Sequence, residues 1–425
     1  MSLPQPGTRP ARLSMTALVD SLKPGMTVFL GGVSGESLAF RDALRAAPEK
    51  AAGVRFVGVF FPGINEGAYA SVHPQARQRA YFMLPEFRPD FLDGRVELLP
   101  VDYVGAWKDL AHLEIDLAIV QTSEPDAQGR LSLGICHDFA PAVWARARQR
   151  VAHINPAMPR THGSVSLRLD DCDAVVDCAA DLLTYPDDTP NAALETLADH
   201  VAGIVRDGDT VQLGIGKMVT AVCEALDDHR ALRLHAGMAT GAVLPLIERG
   251  IIAGVGAVRV GVALGGADFY ARVARDDTFR FEPVSDTHDV WRIAAINRFV
   301  AINAALEVDL FGQVNCDTLG GKLVAGVGGM PAFAGGARLS IGGRSVFALL
   351  SSAAKGTVSR IVPRLAANAL IGAPRHLADL VVTEQGVADL RGASLDQRAE
   401  RLIAIAAPEH RSELMTCWAA QRQVL

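Results

Sequence analysis

The chain has 425 residues, 49% hydrophobic and 21% charged, which supplies apolar side chain for one to three folded domains and excludes the disordered class. Its 41 basic and 47 acidic side chains give a net charge of −6, and aromatics reach only 6%. Neither the basic patch nor the stacking platforms of a nucleic-acid binder are therefore expected.

The N-terminus, M-S-L-P-Q-P-G-T-R-P-A-R, is polar and broken by proline, with no apolar leader core behind it. No stretch reaches the roughly 18 consecutive apolar residues of a membrane span. A soluble, cytoplasmic protein without membrane contact is the expectation. Apolar runs at 27–30, 54–61 and 117–120 predict buried strands, and L-G-G-V-S-G at 30–35 follows the first of them. P-R-T-H-G at 159–163 has the composition of a turn, and its His162 has no visible catalytic partner. L-L-T-Y-P-D-D-T-P-N at 182–191, with two prolines, suits a linker and places a boundary near 188.

Beyond it the pattern restarts. Helical stretches at 197–204, 219–226 and 241–247 alternate with strand-like runs at 210–213, 299–303 and 345–350. Strands alternating with helices imply largely parallel sheets covered by helices, so the expected fold class is α/β with two related domains, 1–188 and 189–425. A divergent repeat supports the pair. Gly25, Thr27, Val28, Leu30 and Gly31 recur as Gly208, Thr210, Val211, Leu213 and Gly214, at an offset of 183. Glu124, Asp126 and Gly129 recur at the same offset as Glu307, Asp309 and Gly312. D-A-V-V-D at 173–177 echoes D-L-V-V-T at 379–383 at a longer offset.

Two glycine loops follow the first strand of each half. In the second, L-G-I-G-K-M at 213–218, Lys217 stands where an anion would meet a helix start, while no third glycine completes a dinucleotide fingerprint. Met218 after Lys217 excludes a P-loop. The densest cluster is A-G-V-G-G-M-P-A-F at 325–333, which reads either as a flexible hairpin or as adjacent backbone N–H donors for a thioester oxyanion. R-L-H-A-G at 233–237 predicts a strand whose period of two sets His235 and Gly237 on one face, with His235 either structural or a base. The six cysteines show no C-x-x-C and no metal-ligand spacing, so no metal site is expected. No G-x-S-x-G or H-E-x-x-H occurs.

Six segments carry a resemblance: N-P-A-M-P-R-T-H-G at 155–163, Q-L-G-I-G at 212–216, A-L-E-V-D-L-F-G-Q-V-N-C-D at 305–317, G-V-G-G at 326–329, K-G-T-V-S-R-I-V-P at 355–363 and V-V-T-E-Q-G-V-A-D-L-R-G at 381–392. Together they resemble the acetyl-CoA hydrolase/transferase family, which includes acetate, butyrate, succinate and 4-hydroxybutyrate CoA-transferases. The resemblance implies the class I CoA-transferase fold, a homodimer or larger homo-oligomer, an acyl-CoA and a small carboxylic acid as partners, and coenzyme A as substrate rather than a permanently bound cofactor. By the same resemblance, CoA is expected at Gly214, Ile215, Gly216, Lys217, Met218, Asn303, Gly328 and Lys355. The oxyanion loop is expected at Gly326, Val327, Gly328 and Gly329.

In that family a glutamate attacks the thioester and carries CoA in a ping-pong cycle. Its pattern, close to L-x-I-H-[ST]-E-M-x-x-D-G, meets L-R-L-H-A-G-M-A-T-G-A at 232–242. His235 and Met238 anchor the match, and the glutamate position falls on Gly237. Three readings follow. The first is acyl-CoA hydrolysis or water addition without a glutamyl-CoA intermediate, using the space the glutamate vacates and His235 as base. The second is CoA transfer with a carboxylate from elsewhere. The third is a non-catalytic acyl-CoA-binding or partner subunit.

Overall fold

The computed structural model describes residues 10–163, 165–186 and 189–425. Residues 1–9, on which the expectation of no leader rests, and the boundary expected at 188 lie outside the described residues. Two compact units emerge. One holds the described chain up to Pro186 together with Arg259–Thr287, and the other holds the chain from 189 to Val258 together with His288–Leu425. The segment 259–287, which sequence composition assigns to the second half, thus belongs to the first unit. Backbone bonds fasten it there: His137 N–H donates to Gly261 O at 2.9 Å, Ala263 N–H to Ile135 O at 2.8 Å, and Phe281 N–H to His162 O at 2.8 Å. Such pairing over more than a hundred residues leaves no local mark in composition.

In the first unit eight described strands lie in the order Ala11–Arg12, Ala174–Asp177, Gln149–Ile154, Leu117–Thr122, Thr27–Leu30, Arg55–Val57, Arg77–Ala80, Val96–Leu98. All neighbours are parallel. Leu117–Thr122 is buried at every position, which explains its unalternating L-A-I-V-Q-T: helices cover both faces of a parallel sheet. Helix starts are capped by their own sequence, as where Asp102 Oδ1 accepts from Gly105 N–H at 2.7 Å.

In the second unit six strands of an eight-stranded sheet run in the order Arg233–His235, Thr210–Gln212, Phe299–Ala304, Arg344–Ala348, Leu380–Thr383, Gly386–Asp389, and among these six only the last is antiparallel. The repeat read from sequence reappears in strand register. Val28 stands opposite Leu117 and Val211 opposite Val300, both members shifted by 183. Asp173 and Asp379, the heads of the third echo, make the same bond: each accepts at Oδ2 from the N–H of the neighbouring strand, Arg150 at 2.8 Å and Ser345 at 3.1 Å.

This topology positions ligands. In each unit the chain leaves the first strand toward one side of the sheet and later returns on the other. The switch falls between Thr27–Leu30 and Leu117–Thr122 in one unit and between Thr210–Gln212 and Phe299–Ala304 in the other. Crevices outside the carboxyl ends of strands at such points are where open α/β sheets bind small molecules. No described helix is long and apolar enough to cross a membrane.

Candidate active site in the second unit

Of the residues expected to bind or react, Gly214 to Met218, His235, Gly237 and Asn303 lie at or just beyond the carboxyl ends of adjacent strands of the second unit. After Thr210–Gln212 the chain turns through Gly214 to Gly216 into the helix Lys217–Ala225. Gly216, at φ 97°, is held in a conformation that favours glycine, and a Cβ on Gly214 or Gly216 would meet nothing within 4 Å. Packing therefore does not require glycine at either position, and the space over both is open. Lys217 is exposed at the helix start, with Ile215 and Met218 half-buried beside it.

Across the switch point, Asn303 is 9% exposed and its Nδ2 has no hydrogen-bond partner among the described residues; the buried Gln212 Oε1 is likewise unpaired. Leaving such a group without a partner costs about 1–3 kcal/mol, so two of them on neighbouring strands are open to a polar ligand. The sequence names Asn303 as a contact, while Gln212 enters only as the first residue of Q-L-G-I-G, with no role of its own. Lys355 rides a tight turn between Ser352–Ala353 and Val358–Ser359, beyond the strand Arg344–Ala348. Both Ala354 (φ 48°) and Lys355 (φ 58°) are left-handed, at roughly 1–2 kcal/mol each for non-glycine residues, and Lys355 stays exposed. Backbone strain of this kind concentrates at ligand-holding loops.

The glycine-rich stretch is no hairpin. It turns at Gly328 (φ 56°), with Met330 N–H donating to Val327 O at 3.2 Å, and runs straight into the helix Met330–Leu339. Among the described residues no acceptor meets the amide N–H of Gly326, Val327, Gly328 or Gly329. Adjacent unpaired donors at a helix start suit a developing oxyanion.

His235 closes its strand and is 4% exposed, with its ring 5.9 Å from Phe299 and 6.4 Å from Phe333. The strand ends there, so the two-residue period expected to carry Gly237 onto the same face does not reach it. The space beside Gly237 is also not vacant, contrary to the expectation from sequence. A Cβ there would lie 3.1 Å from Cε1 and 3.2 Å from Nε2 of His288. The same imidazole would lie 2.4 Å from a Cβ on Gly329 and packs on Phe333 at 4.6 Å. His288 is 1% exposed, and burial, with His235 adding, pushes it down to about 3, so it is neutral near pH 7. Sequence reading missed it because 51 positions separate it from Gly237 and T-H-D-V at 287–290 carries no motif.

Known proteins match the chain over most of its length. The model of the acetyl-CoA hydrolase/transferase N-terminal domain matches residues 12–179 and that of the C-terminal domain residues 265–417. The chain is 32% identical over 389 residues to 4-hydroxybutyrate coenzyme A transferase of Clostridium kluyveri, covering 90% of this chain and 91% of that one. Among solved structures it is similar to RipA from Yersinia pestis, at TM-score 0.87 and 26% identity over 97% of both chains. It is also similar to 4-hydroxybutyrate CoA-transferase from Porphyromonas gingivalis, at TM-score 0.79 and 29% identity over 97% of this chain and 98% of that one.

Proposed function

We propose a reaction on the premise that the chain belongs to the acetyl-CoA hydrolase/transferase family: it cleaves an acyl-CoA thioester with water, without a glutamyl-CoA intermediate. Membership makes the chain an enzyme and sets aside the non-catalytic reading. One observation carries the rest. His288 stands against Gly237, where the family's nucleophilic carboxylate would begin, and against Gly329 of the amide loop. The group against that loop is thus an imidazole, which can move protons or donate hydrogen bonds but cannot carry CoA as a carboxylate does.

In this reading the CoA part lies along Gly214 to Met218, with Asn303 donating through Nδ2 and Lys355 meeting its phosphates. Water attacks the thioester carbon while His235 takes its proton. The N–H groups of Gly328 and Gly329 hold the oxyanion, and neutral His288 fixes the loop and excludes a competing nucleophile. The C–S bond then breaks and the CoA thiolate takes up the proton, leaving a free acid and CoA. The test is a single turnover in ¹⁸O-water with a short acyl-CoA, followed by borohydride and mass spectrometry. One labelled oxygen in the product acid and an unmodified protein are expected. A CoA thioester on any Glu or Asp would sink the reading.

The names of the relatives favour a second reading, CoA transfer to a carboxylic acid through a carboxylate other than one at position 237. It requires new acyl-CoA to appear when acetate or succinate is supplied, and CoA release to stop without an acceptor acid.

A further inference from the structure

Two of the three residues at the tip of the Lys355 turn disfavour the backbone they adopt. Ala354, Lys355 and Gly356 are left-handed in succession, at φ 48°, 58° and 90°, and only the third is a glycine. The paired strands on either side, Ser352–Ala353 and Val358–Ser359, are too short to make such a hairpin stable by itself. Its base is tied where Ser351 N–H donates to Glu384 Oε2 at 2.8 Å. At the tip, Gly356 N–H donates to Ala353 O at 3.1 Å and the Thr357 hydroxyl to Ala354 O at 2.8 Å, bonds that close the turn without placing it. Among the described residues one hydrogen bond reaches 354–357 from beyond the hairpin: His410 Nε2–H donates to Gly356 O at 2.8 Å.

His410 is itself firmly held. It ends the short turn Pro408–His410, which proline starts, and its own N–H donates to Ala407 O at 3.0 Å. Ala406 before it and Leu414 after it, on the helix Arg411–Arg422, are both buried in the core of the second unit. Glu409 stands against the same glycine: a Cβ on Gly356 would lie 3.2 Å from its Oε1, so a side chain there would press the turn away from 408–410. A carbonyl only accepts, so Nε2 carries the proton whether the ring is neutral or charged, and the bond does not depend on that charge. We propose that His410 is a positioning residue for the coenzyme: through Gly356 it holds the left-handed turn that presents the Lys355 ammonium to the CoA phosphates. This rests on the reading above that Lys355 meets those phosphates, and adds what sets its place. Without the bond the turn relaxes from its strained conformation, and each binding event must order it again.

Calorimetry on the full chain tests this with CoA and with pantetheine, which lacks the phosphates. At low ionic strength Lys355→Ala should weaken CoA binding about two- to fivefold, the range of an exposed charge pair, and leave pantetheine unchanged. His410→Phe, which removes the donor, should do the same. The double variant should bind CoA no more weakly than Lys355→Ala alone, since His410 acts only through that ammonium. His410→Gln, whose amide can reach the same carbonyl, should keep the unmodified chain's affinity, and high salt should bring all these proteins together. Unchanged CoA affinity in His410→Phe beside a weakened Lys355→Ala would overturn the inference and leave the reading of Lys355 standing. Unchanged affinity in Lys355→Ala, or no CoA binding at all, would remove both. Multiplied effects in the double variant, an equal loss for pantetheine, or a His410→Gln as weak as His410→Phe would also overturn the inference. Where His410→Phe does not fold, His410→Ala gives the same comparison.

Discussion

Gly237 and His288 occupy one shared space: a side chain begun at the first would touch the imidazole of the second at 3.1 Å. That contact is tighter than ordinary van der Waals packing, so a glutamate at 237 requires the imidazole to give way by a few tenths of an ångström.

Gly237→Glu should therefore not restore transferase activity. Overpacking costs about 1–3 kcal/mol, and urea midpoints should fall accordingly. The double change Gly237→Glu with His288→Ala opens the space and should regain CoA exchange between an acyl-CoA and acetate. Brisk exchange from Gly237→Glu alone would show that the imidazole does not block the position.

Asn303→Ala should weaken CoA binding about 5- to 30-fold by calorimetry, because the unpaired Nδ2 supplies one desolvated hydrogen bond. Lys355→Ala should weaken it less, and the Lys355 contribution should shrink in high salt, since its ammonium is exposed. Unchanged affinity in both variants would move the CoA site elsewhere.

His288 also makes stability depend on pH. Unfolded, it titrates near 6.5; folded, it stays neutral to about 3. Between those values the unfolded chain binds the extra proton, so its share of stability is whole above pH 6.5 and is lost as pH falls toward 3. Replacing it in His288→Phe should flatten the fall by at most about 1.4 kcal/mol per pH unit. Urea midpoints at pH 7 and pH 5 measure this, and identical slopes in the two proteins would refute it.

At the opposite ends of the same strands, the fully buried Asp209 pairs with Arg344, itself nearly buried, and also accepts from Arg206 N–H at 2.8 Å. Arg344→Met strands that carboxylate and should cost about 3–5 kcal/mol, while CoA affinity of the folded fraction stays unchanged. A cost under about 1 kcal/mol would show that Arg298, 3.8 Å from Asp209, takes over.

The α/β class and the duplication were legible because parallel strands buried on both faces write themselves as apolar runs. The repeated Gly, Thr, Val, Leu and Gly positions hold one strand in one register. Gly216 and Gly328 were legible because positive φ leaves its own signature. His288 was not, since its meaning comes from meeting Gly237 and Gly329 in space. The segment 259–287 misled because domain membership there is decided by long-range backbone pairing, as where Val284 N–H donates to Asp138 O at 3.1 Å.

That discontinuity has a consequence for synthesis. The first unit lacks the partners of Ile135, His137 and His162 until residue 287 has left the ribosome, about a hundred residues after Pro186. At roughly 5–20 residues per second, this leaves some seconds in which those backbone groups and the apolar side chains around them face solvent and each other's copies. A nascent chain halted at 186 would carry every strand of its eight-stranded sheet and still expose the ground on which Gly261, Ala263 and Phe281 later settle. The part of the molecule made first is thus completed late, and chaperone demand should peak while the second unit is being threaded out.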